Sequence, residues 1–347
     1  MKLESLDWDV LDRLRQTFLS ATKAAGPYWH TLTDLECYDL TYGERIGWKW
    51  DAVLRELRLR DWVPGSEPDQ TARTGVTVFD WGCGSGIAGR RVVDFLGADK
   101  IAGLRLHDHS ALAVDFAEHR ARKIFPALAV SRADTRFLRS EEPISVLVLS
   151  HVLNELNEIA RAELTGLLAR AQTVLWVEPG THEVSRALIG WREQALAQGF
   201  RAVAPCTHQA GCGLLTTGNE RHWCHSFAEP PHNIYADSDW VKFGQRAGID
   251  LRSLPYSFLV LDRRRPAGND DGSRILGDPR VYKGYAKIFN CSAHGVEELT
   301  LQQRGDKVFF KSLKKAPGPL LYRWTREGSQ ITAAEPIIPS VPDSGND

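Results

Sequence analysis

The sequence predicts an α/β fold with a Rossmann-like, mostly parallel sheet, an N-terminal helical cap, a cysteine-rich insertion and a small C-terminal β appendage. Three observations predict this fold. From residue 75 onward, short apolar runs alternate with amphipathic helices, which is typical of a parallel sheet with crossover connections. A Gly-rich turn follows the first of these runs. The chain then closes with short β-like runs that are rich in basic residues and turns.

Composition excludes two classes of protein. Of the 347 residues, 43% are hydrophobic and 25% are charged, which is ordinary for a globular protein. No apolar run reaches membrane-spanning length, so we expect no membrane partner. The formal net charge of -1 argues against a uniformly basic nucleic-acid protein. The acidic, amphipathic N-terminus differs from secretory and transit peptides, and we expect a cytoplasmic protein.

The chain divides into four expected regions. Residues 1–70 form the helical cap, because apolar residues from Leu3 to Phe18 recur at spacings of three and four. Residues 71–265 form the sheet domain, interrupted at 200–235 by the cysteine-rich insertion, whose pattern fits neither helix nor strand. Residues 266–326 form the basic β appendage. The Pro- and Ser-rich end, 327–347, is expected to be disordered.

Apolar runs and helical periods locate the elements of the sheet domain. The predicted strands are Val76–Phe79, Ile101–His107, Ala127–Ser131, Ile144–Ser150, Thr173–Val177 and Ser257–Asp262. The predicted helices are Arg90–Leu96, Ala111–Ile124, Glu158–Ala171, Glu183–Gln198 and Asp239–Ala247.

The Gly-rich turn runs from Asp80 to Gly86, with glycines at 82, 84 and 86. Gly82, Gly84 and Gly86 allow a tight turn and let a ligand lie against bare backbone. A pyrophosphate would be repelled by the Asp80 carboxylate, whereas an ammonium or sulfonium would be attracted. The turn therefore predicts S-adenosylmethionine as cofactor and a class I methyltransferase fold.

Two more acidic residues follow the next strands. Asp108 lies 28 positions after Asp80, where a carboxylate can bind both ribose hydroxyls. Asp134, just past the third strand, is placed to meet the adenine amino group. The alternative is a Gly-rich turn in an ordinary α/β domain, with these acids as solvated turn residues or helix caps.

The methyl-acceptor side is expected after the fourth strand, at Ser150-His151-Val152-Leu153-Asn154-Glu155. Ser150 is assigned to the cofactor, His151 can accept a proton, and Asn154 and Glu155 can position an acceptor. Signatures of base amino-group methylation and of pyrimidine carbon methylation are both missing. The alternative is that these are hydrogen-bonded strand-end residues that shape the pocket floor.

Three cysteines of the insertion, Cys206, Cys212 and Cys224, form a C-x5-C-x11-C pattern. Soft thiolates select zinc or iron–sulfur clusters, and a complete site needs a fourth ligand. Spacing alone favours zinc slightly, because it matches neither common ferredoxin pattern. Three unrelated buried thiols are the alternative. The candidates for the fourth ligand are His208, His222, His225 and Cys291.

Taken together, the motifs at 80–86, 150–156, 176–181, 205–206, 223–225 and 274–291 resemble the mitochondrial-type methyltransferase-like assembly factors of the small ribosomal subunit, which have bacterial members. The resemblance covers about residues 75–325. It implies association with the immature small subunit. We expect the protein to be a monomer when it is off the ribosome. The resemblance also implies a [4Fe–4S] cluster in place of zinc, held by Cys206, Cys212, Cys224 and Cys291. Such a cluster would join the appendage to the core.

Residues 274–326 carry eleven Lys and Arg against four Asp and Glu, and aromatic residues lie between them. Cations supply phosphate affinity and aromatic faces stack on unpaired bases, so this region predicts rRNA contact, with Arg263-Arg264-Arg265 adding to it. The alternative is a solvated basic face whose aromatics fill a small β core. The predicted function is that of a cofactor-binding, iron–sulfur protein of small-subunit assembly and translation. An active rRNA methyltransferase, or a small-molecule or protein methyltransferase with structural zinc, are the alternatives.

Overall fold

The structure, a computed structural model, describes residues 6–19, 28–62, 64, 75–264, 272–314 and 320–337. Two sheets organise these residues: a large one of eight strands and a C-terminal one of six. The predicted boundaries near residues 70 and 265 lie outside the described residues. Within the described part of the chain, no helix is both long and apolar enough to cross a membrane.

The large sheet has the strand order β3-β2-β1-β4-β5-β8-β6, with β7 paired to β8. Strands β1 to β5 run parallel, and β8 runs antiparallel to β5, β6 and β7. This mostly parallel sheet with one reversed strand confirms the predicted class I methyltransferase fold. The strands are β1 (Thr77–Trp81), β2 (Gly103–His107), β3 (Val130–Arg132), β4 (Ile144–Ser150), β5 (Ala171–Pro179), β6 (Arg201–Ala204), β7 (Ser226–Phe227) and β8 (Pro255–Asp262).

Helices precede and separate these strands. A π-helical turn at Asp39–Gly43 joins the second helix to the third. The predicted helices after residue 86 are all present, with ends shifted by at most a few residues. The helices are α1 (Trp8–Leu19), α2 (Leu32–Tyr38), α3 (Glu44–Leu59), α4 (Ile87–Leu96), α5 (Ala111–Ile124), α6 (Thr135–Leu138), α7 (Glu158–Arg170), α8 (His182–Ala197), α9 (Ser238–Ala247) and α10 (Lys307–Ser312).

Both faces of the large sheet are covered, which explains why its strands are apolar throughout. Val78, Val146 and Leu175 point to one face, where α3, α4 and α9 pack on them. Phe79 and Trp176 point to the other face, against α7 and α8. The third helix of the N-terminal cap, α3, therefore belongs to the helical layer on one face of the large sheet.

The small sheet is a ring. Its order is β10-β11-β12-β14-β13-β9, and β9 also pairs with β11, which closes five strands around a buried core. Its strands are β9 (Ser273–Ile275), β10 (Arg280–Val281), β11 (Tyr285–Ser292), β12 (Gly295–Gln302), β13 (Leu321–Glu327) and β14 (Gln330–Pro336).

Two predictions about irregular segments are wrong. Residues 201–204 form β6 within the large sheet, so the irregular part of the insertion begins only after them. A four-residue strand is too short to show a period, which is why the pattern missed it. The expected disordered tail is ordered over Gln330–Pro336, because β14 completes the ring beside β12 and β13. The rest of that predicted tail, 338–347, lies outside the described residues.

Candidate functional site

The Gly-rich turn joins β1 to α4. Gly82, Gly84 and Gly86 all have φ between 51° and 76°, the left-handed region that favours glycine. The backbone N–H groups of Gly82 and Cys83 donate to the carbonyl of His107, which ties the turn to the end of β2. A side chain at Gly84 would meet nothing within 4 Å, so this position leaves open space for a ligand.

Asp80 lies fully buried beneath this turn. Its Oδ2 accepts a hydrogen bond from the Gly89 N–H at 2.9 Å. Its Oδ1 has no hydrogen-bond partner among the described residues. Burial raises the pKa of Asp80 to about 7, against the lowering effects of the Gly89 N–H and Arg90. A buried carboxylate oxygen without a partner calls for an external donor, such as an ammonium group.

The two acids that follow β2 and β3 have structural contacts. Asp108 accepts from the N–H groups of Gly84 and Ser110, both at 2.9 Å, so it holds the Gly-rich turn from the side. Asp134 is the N-cap of α6 and accepts from the Phe137 N–H at 2.7 Å. One carboxylate oxygen of Asp134 therefore acts as a helix cap, as the alternative interpretation expected. The role of Asp134 toward adenine stays a prediction.

At the end of β4, the structure brings two predicted residues together with two from α3 in the N-terminal region. The Ser150 hydroxyl accepts from Trp50 Nε1 at 3.0 Å and lies 3.4 Å from His151 Nδ1. His151 Nε2 lies 3.3 Å from Lys49 Nζ on α3. His151 also has a φ of 57°, which is strained for a residue with a side chain and recurs at functional sites.

These neighbours shift the basicity of the pair. Burial, reinforced by Arg45, lowers the pKa of Lys49 to about 8. Burial, with Lys49 beside the ring, holds the pKa of His151 well below its ordinary value. This shift favours the neutral imidazole over the imidazolium and makes the ring a weaker base than an ordinary histidine, so its role as a proton acceptor stays a prediction.

The other two predicted acceptor residues differ from His151. Asn154 is exposed and makes no side-chain hydrogen bond within the described part of the chain. Glu155 accepts from the Tyr28 hydroxyl at 3.3 Å, a link between the N-terminal region and the turn after β4. These contacts do not test the predicted roles in positioning an acceptor.

Glu178, on β5, is the second fully buried carboxylate at this edge. Its Oε1 accepts from Trp176 Nε1 at 2.7 Å and from the N–H groups of Val152 and Leu153. Its Oε2 is buried and finds no partner in the residues that the structure covers. Burial raises the pKa of Glu178 to about 7, although these three donors lower it.

A second site lies between the large and small sheets. All four predicted cysteines are free thiols that line one cavity of about 40 Å³. Cys206 follows β6, Cys212 precedes a short 3₁₀ turn, Cys224 precedes β7, and Cys291 lies on β11 of the ring. The structure therefore brings Cys291 to the same cavity as the other three thiols, and their role as metal ligands stays a prediction. Across the described ranges, however, no three His, Cys, Asp or Glu side chains are arranged to hold a single metal ion.

The wall of this cysteine cavity carries a buried cation. Arg192 on α8 donates from Nε to Cys206 Sγ at 3.1 Å and from Nη2 to the carbonyls of His208 and Ala210. Of the alternative ligands, His208 approaches the cluster of thiols, with Nε2 at 3.7 Å from Cys291 Sγ. His222 instead stacks against Phe289, with ring centroids 4.5 Å apart.

An ion-pair junction next to the cavity joins three parts of the chain. Glu56 on α3 accepts from Arg60 at 2.6 Å and from Arg274 on β9 at 2.5 Å. Arg60 and Arg274 also donate to the carbonyl of Pro205, beside the first cysteine. The N-terminal helix, the cysteine segment and the ring are thereby connected.

The predicted basic surface needs correction. Arg274 is 3% exposed and neutralised by Glu56, so it is not a surface cation. Arg263 lies over Phe200 and donates to the Ala171 carbonyl, while Arg264 pairs with Asp262. Arg265 lies outside the described residues. Of the appendage aromatics, Phe309, Phe310 and Tyr322 are buried in the ring, as the alternative anticipated.

Lys49, Arg192 and Glu56 were not identified from the sequence. Each lies on a helix whose polar positions look solvated, and each gains its role from a partner at least fourteen residues away. A charged residue within an apolar helical stripe is the one signal that could have identified them.

The sheet order and the turn with its buried Asp80 define a protein of the class I methyltransferase-like fold. The chain belongs to the family described as mitochondrial small ribosomal subunit Rsm22, whose sequence model matches residues 58–319. This match confirms the resemblance seen in the motifs. No curated protein sequence matches the chain.

Solved structures with similar folds are distant. A magnesium protoporphyrin IX methyltransferase from Synechocystis, with bound SAH, is 13% identical over 73% of this chain and 93% of that chain, with a TM-score of 0.38. TrmK from M. capricolum, in complex with S-adenosyl-homocysteine, is 8% identical over 62% and 70%, with a TM-score of 0.34. A ribosomal protein L11 methylase from Lactobacillus delbrueckii is 19% identical over 37% and 62%, with a TM-score of 0.28.

Proposed function

We propose that this protein binds S-adenosylmethionine and a [4Fe–4S] cluster and acts in assembly of the small ribosomal subunit by binding its rRNA. The observation that carries the proposal is the convergence of four free thiols on one cavity. Three come from one loop region and the fourth from the ring. Membership in a small-ribosomal-subunit family supplies the biological setting.

The donor set fits a [4Fe–4S] cluster. A cubane binds each of its irons through a separate thiolate, and four cysteines line this cavity. Thiolates bind zinc as well, so metal and sulfide analysis decides between the two. Arg192 donates to Cys206 Sγ and offsets the negative charge that four thiolates bring.

The Gly-rich turn suits S-adenosylmethionine. Asp80 Oδ1 is a buried acceptor without a partner in the described chain, and the space beside Gly84 is open. The ammonium of the methionyl group would supply the missing donor. When bound, the cofactor supplies an electrophilic methyl group, and Asp80 and Asp108 would hold it at the turn.

The test compares the full chain, purified without oxygen, with Cys291→Ser. Each is mixed with immature and mature small subunits and sedimented, and cross-linked RNA is sequenced. We expect the wild-type chain to sediment with immature subunits and to cross-link to their rRNA, and the variant to lose at least most of this binding. Equal binding by both proteins, or binding to neither particle, would contradict the proposal.

A second candidate, an active rRNA methyltransferase, is favoured by the contact between Lys49 and His151 at the end of β4. A neutral His151 beside the expected methyl group is placed to remove a proton from an acceptor. Radiolabelled cofactor incubated with immature subunits tests it. Transfer that disappears in His151→Ala, with cofactor binding retained, would establish this activity.

A further inference from the structure

The ring of the appendage has a recognisable topology. In chain order its five closing strands are β9, β11, β12, β13 and β14. The first three form an antiparallel meander, β13 pairs antiparallel with both β9 and β14, and β12 runs parallel to β14. The helix α10 lies between β12 and β13, and its Phe309 and Phe310 enter the barrel core. This is the arrangement of an oligonucleotide/oligosaccharide-binding (OB) barrel.

OB barrels bind their ligands on the outer face of the second and third strands and on the loop between the first two. Here those strands are β11 and β12, and that loop spans residues 276–284. Along β11 the side chains alternate, so that Ala286 and Ile288 fill the barrel and the intervening residues point outward. The outward series begins at Tyr285 and ends at Cys291.

The two ends of this outer face differ. At one end, Phe289, Cys291 and Val296 pack against Ile189 and Leu214 of the core, beside the cysteine cavity. That half of the face is already covered. At the other end, the first residues of β11 and the preceding loop remain at the surface.

The uncovered end carries an aromatic platform. Tyr282 and Tyr285 stack with ring centroids 4.8 Å apart and an angle of 16° between their planes. Tyr282 is 42% exposed, unusually open for a large aromatic side chain in the described structure. A stacked pair held in place by the barrel loses little freedom when an unpaired base stacks upon it.

Cations surround this platform. Arg280 and Lys287 both pair with Glu298, leaving a surplus of one positive charge among these three side chains. Lys283 lies in the turn between the two tyrosines, and Arg304 lies just after β12, where the Gln303 N–H bonds to the carbonyl of Gly284. Aromatic faces with interleaved cations match the chemistry of single-stranded nucleic acid.

We propose that the uncovered end of this OB face, formed by Arg280, Tyr282, Lys283, Tyr285, Lys287 and Arg304, binds an unpaired segment of RNA by stacking bases on Tyr282. This inference rests on the proposed rRNA binding and specifies where it occurs. On β11, Phe289 and Cys291 hold the barrel to the core, whereas Tyr285 and Lys287 at the uncovered end bind single-stranded RNA.

The test measures the affinity of the full chain for an eight-nucleotide oligouridylate and for a blunt-ended RNA duplex, in which every base is paired. Tyr282→Ala should weaken binding of the single strand about tenfold, since loss of one stacked base is worth about 1–3 kcal/mol. Tyr282→Phe should bind nearly as the wild type does. Tyr235→Ala, which removes a 52% exposed tyrosine outside the ring, is the matched control and should change nothing.

A salt titration adds an independent readout. Lys283→Gln should lower the slope of log affinity against log salt by about 0.7, the value for one phosphate contact on a single strand. If the wild type binds no RNA, both this inference and the proposed rRNA binding are wrong. If the wild type binds RNA and Tyr282→Ala binds it equally well, only this inference is wrong. Equal affinity for the duplex and the oligouridylate would also overturn it.

Discussion

The Gly-rich turn and the cysteine cavity are two candidate binding sites built in opposite ways. The turn consists of seven consecutive residues, from Asp80 to Gly86, fixed by neighbouring strands of one sheet. The cavity draws Cys206, Cys212 and Cys224 from one irregular region and Cys291 from a separate barrel. A contiguous site depends on local backbone geometry, whereas a composite site depends on how two bodies are held together. Damage to one should therefore leave the other intact.

The largest effect is expected at the fourth thiol. Cys291→Ser should remove the iron–sulfur cluster and loosen the barrel from the core, because the binding energy of a structural metal site is folding energy. We expect loss of iron, a clear drop in melting temperature and faster cleavage of the ring by protease. Affinity for S-adenosylmethionine, measured by calorimetry, should stay within about twofold. Cys83→Ser, in the turn, is the control that should keep its iron.

The next largest effect tests the ion-pair junction. Glu56→Ala leaves Arg60 and Arg274 without their shared carboxylate, and removing one partner of a buried pair costs about 3–5 kcal/mol. Urea unfolding measures this loss. Glu229→Ala removes an exposed partner of Arg55 and should cost less than about 1 kcal/mol.

The junction also predicts a pH dependence. Burial alone would raise the pKa of Glu56, but Arg274 and Arg60 hold that pKa below its ordinary value. Its contribution to stability is therefore present at neutral pH and disappears as the pH falls through the folded-state pKa. The wild type and Glu56→Ala should converge in stability at low pH, and a constant difference would contradict the account.

A third prediction concerns the cofactor site at the Gly-rich turn. Asp80→Asn should weaken S-adenosylmethionine binding about 10- to 100-fold, because an ionic hydrogen bond is worth about 1.5–3 kcal/mol. Iron content should not change. Asp94→Asn, an exposed residue near the C-terminal end of α4, is the control and should bind nearly as the wild type does.

Without cofactor, the same variant should alter the pH profile. Since burial raises the pKa of Asp80 to about 7, the folded protein holds a proton that the unfolded chain has released. Stability should therefore fall as the pH rises from about 4 to 7, by at most about 4 kcal/mol. Asp80→Asn should show a smaller fall, because only Glu178, whose pKa burial also raises to about 7, still contributes to it. Added cofactor should reduce the share of Asp80 in the wild type.

The smallest effect is expected at the contact between Lys49 and His151, at the end of β4. The pKa of Lys49 is lowered to about 8, so its protonated form is disfavoured in the folded state and stability rises as the pH increases from about 8 to 10. Lys49→Met should stabilise the unliganded protein by about 1 kcal/mol at pH 7, measured by urea unfolding. The exposed Lys242→Met should have no such effect. If Lys49→Met is less stable than the wild type, the contact of Lys49 with His151 stabilises the fold and this prediction is wrong.

The same contrast explains how far the sequence could lead. The sheet, its helices and the Gly-rich turn were predictable because short-range periodicity and consecutive glycines encode them. The fourth cysteine was predicted only through the family resemblance, since spacing left three histidines as rivals. The Glu56–Arg274 junction, the contact of Lys49 with His151, and the closure of the barrel by β14 were missed. Each depends on residues far apart in the chain, which no local pattern reports.

The most direct test of the central claim is the metal and sulfide content of the full chain purified without oxygen, combined with its electron paramagnetic resonance spectrum after reduction. The account predicts about four iron and four acid-labile sulfide per chain, with a cubane signal that vanishes in Cys291→Ser. One zinc per chain without sulfide, or iron that persists in the variant, would contradict it.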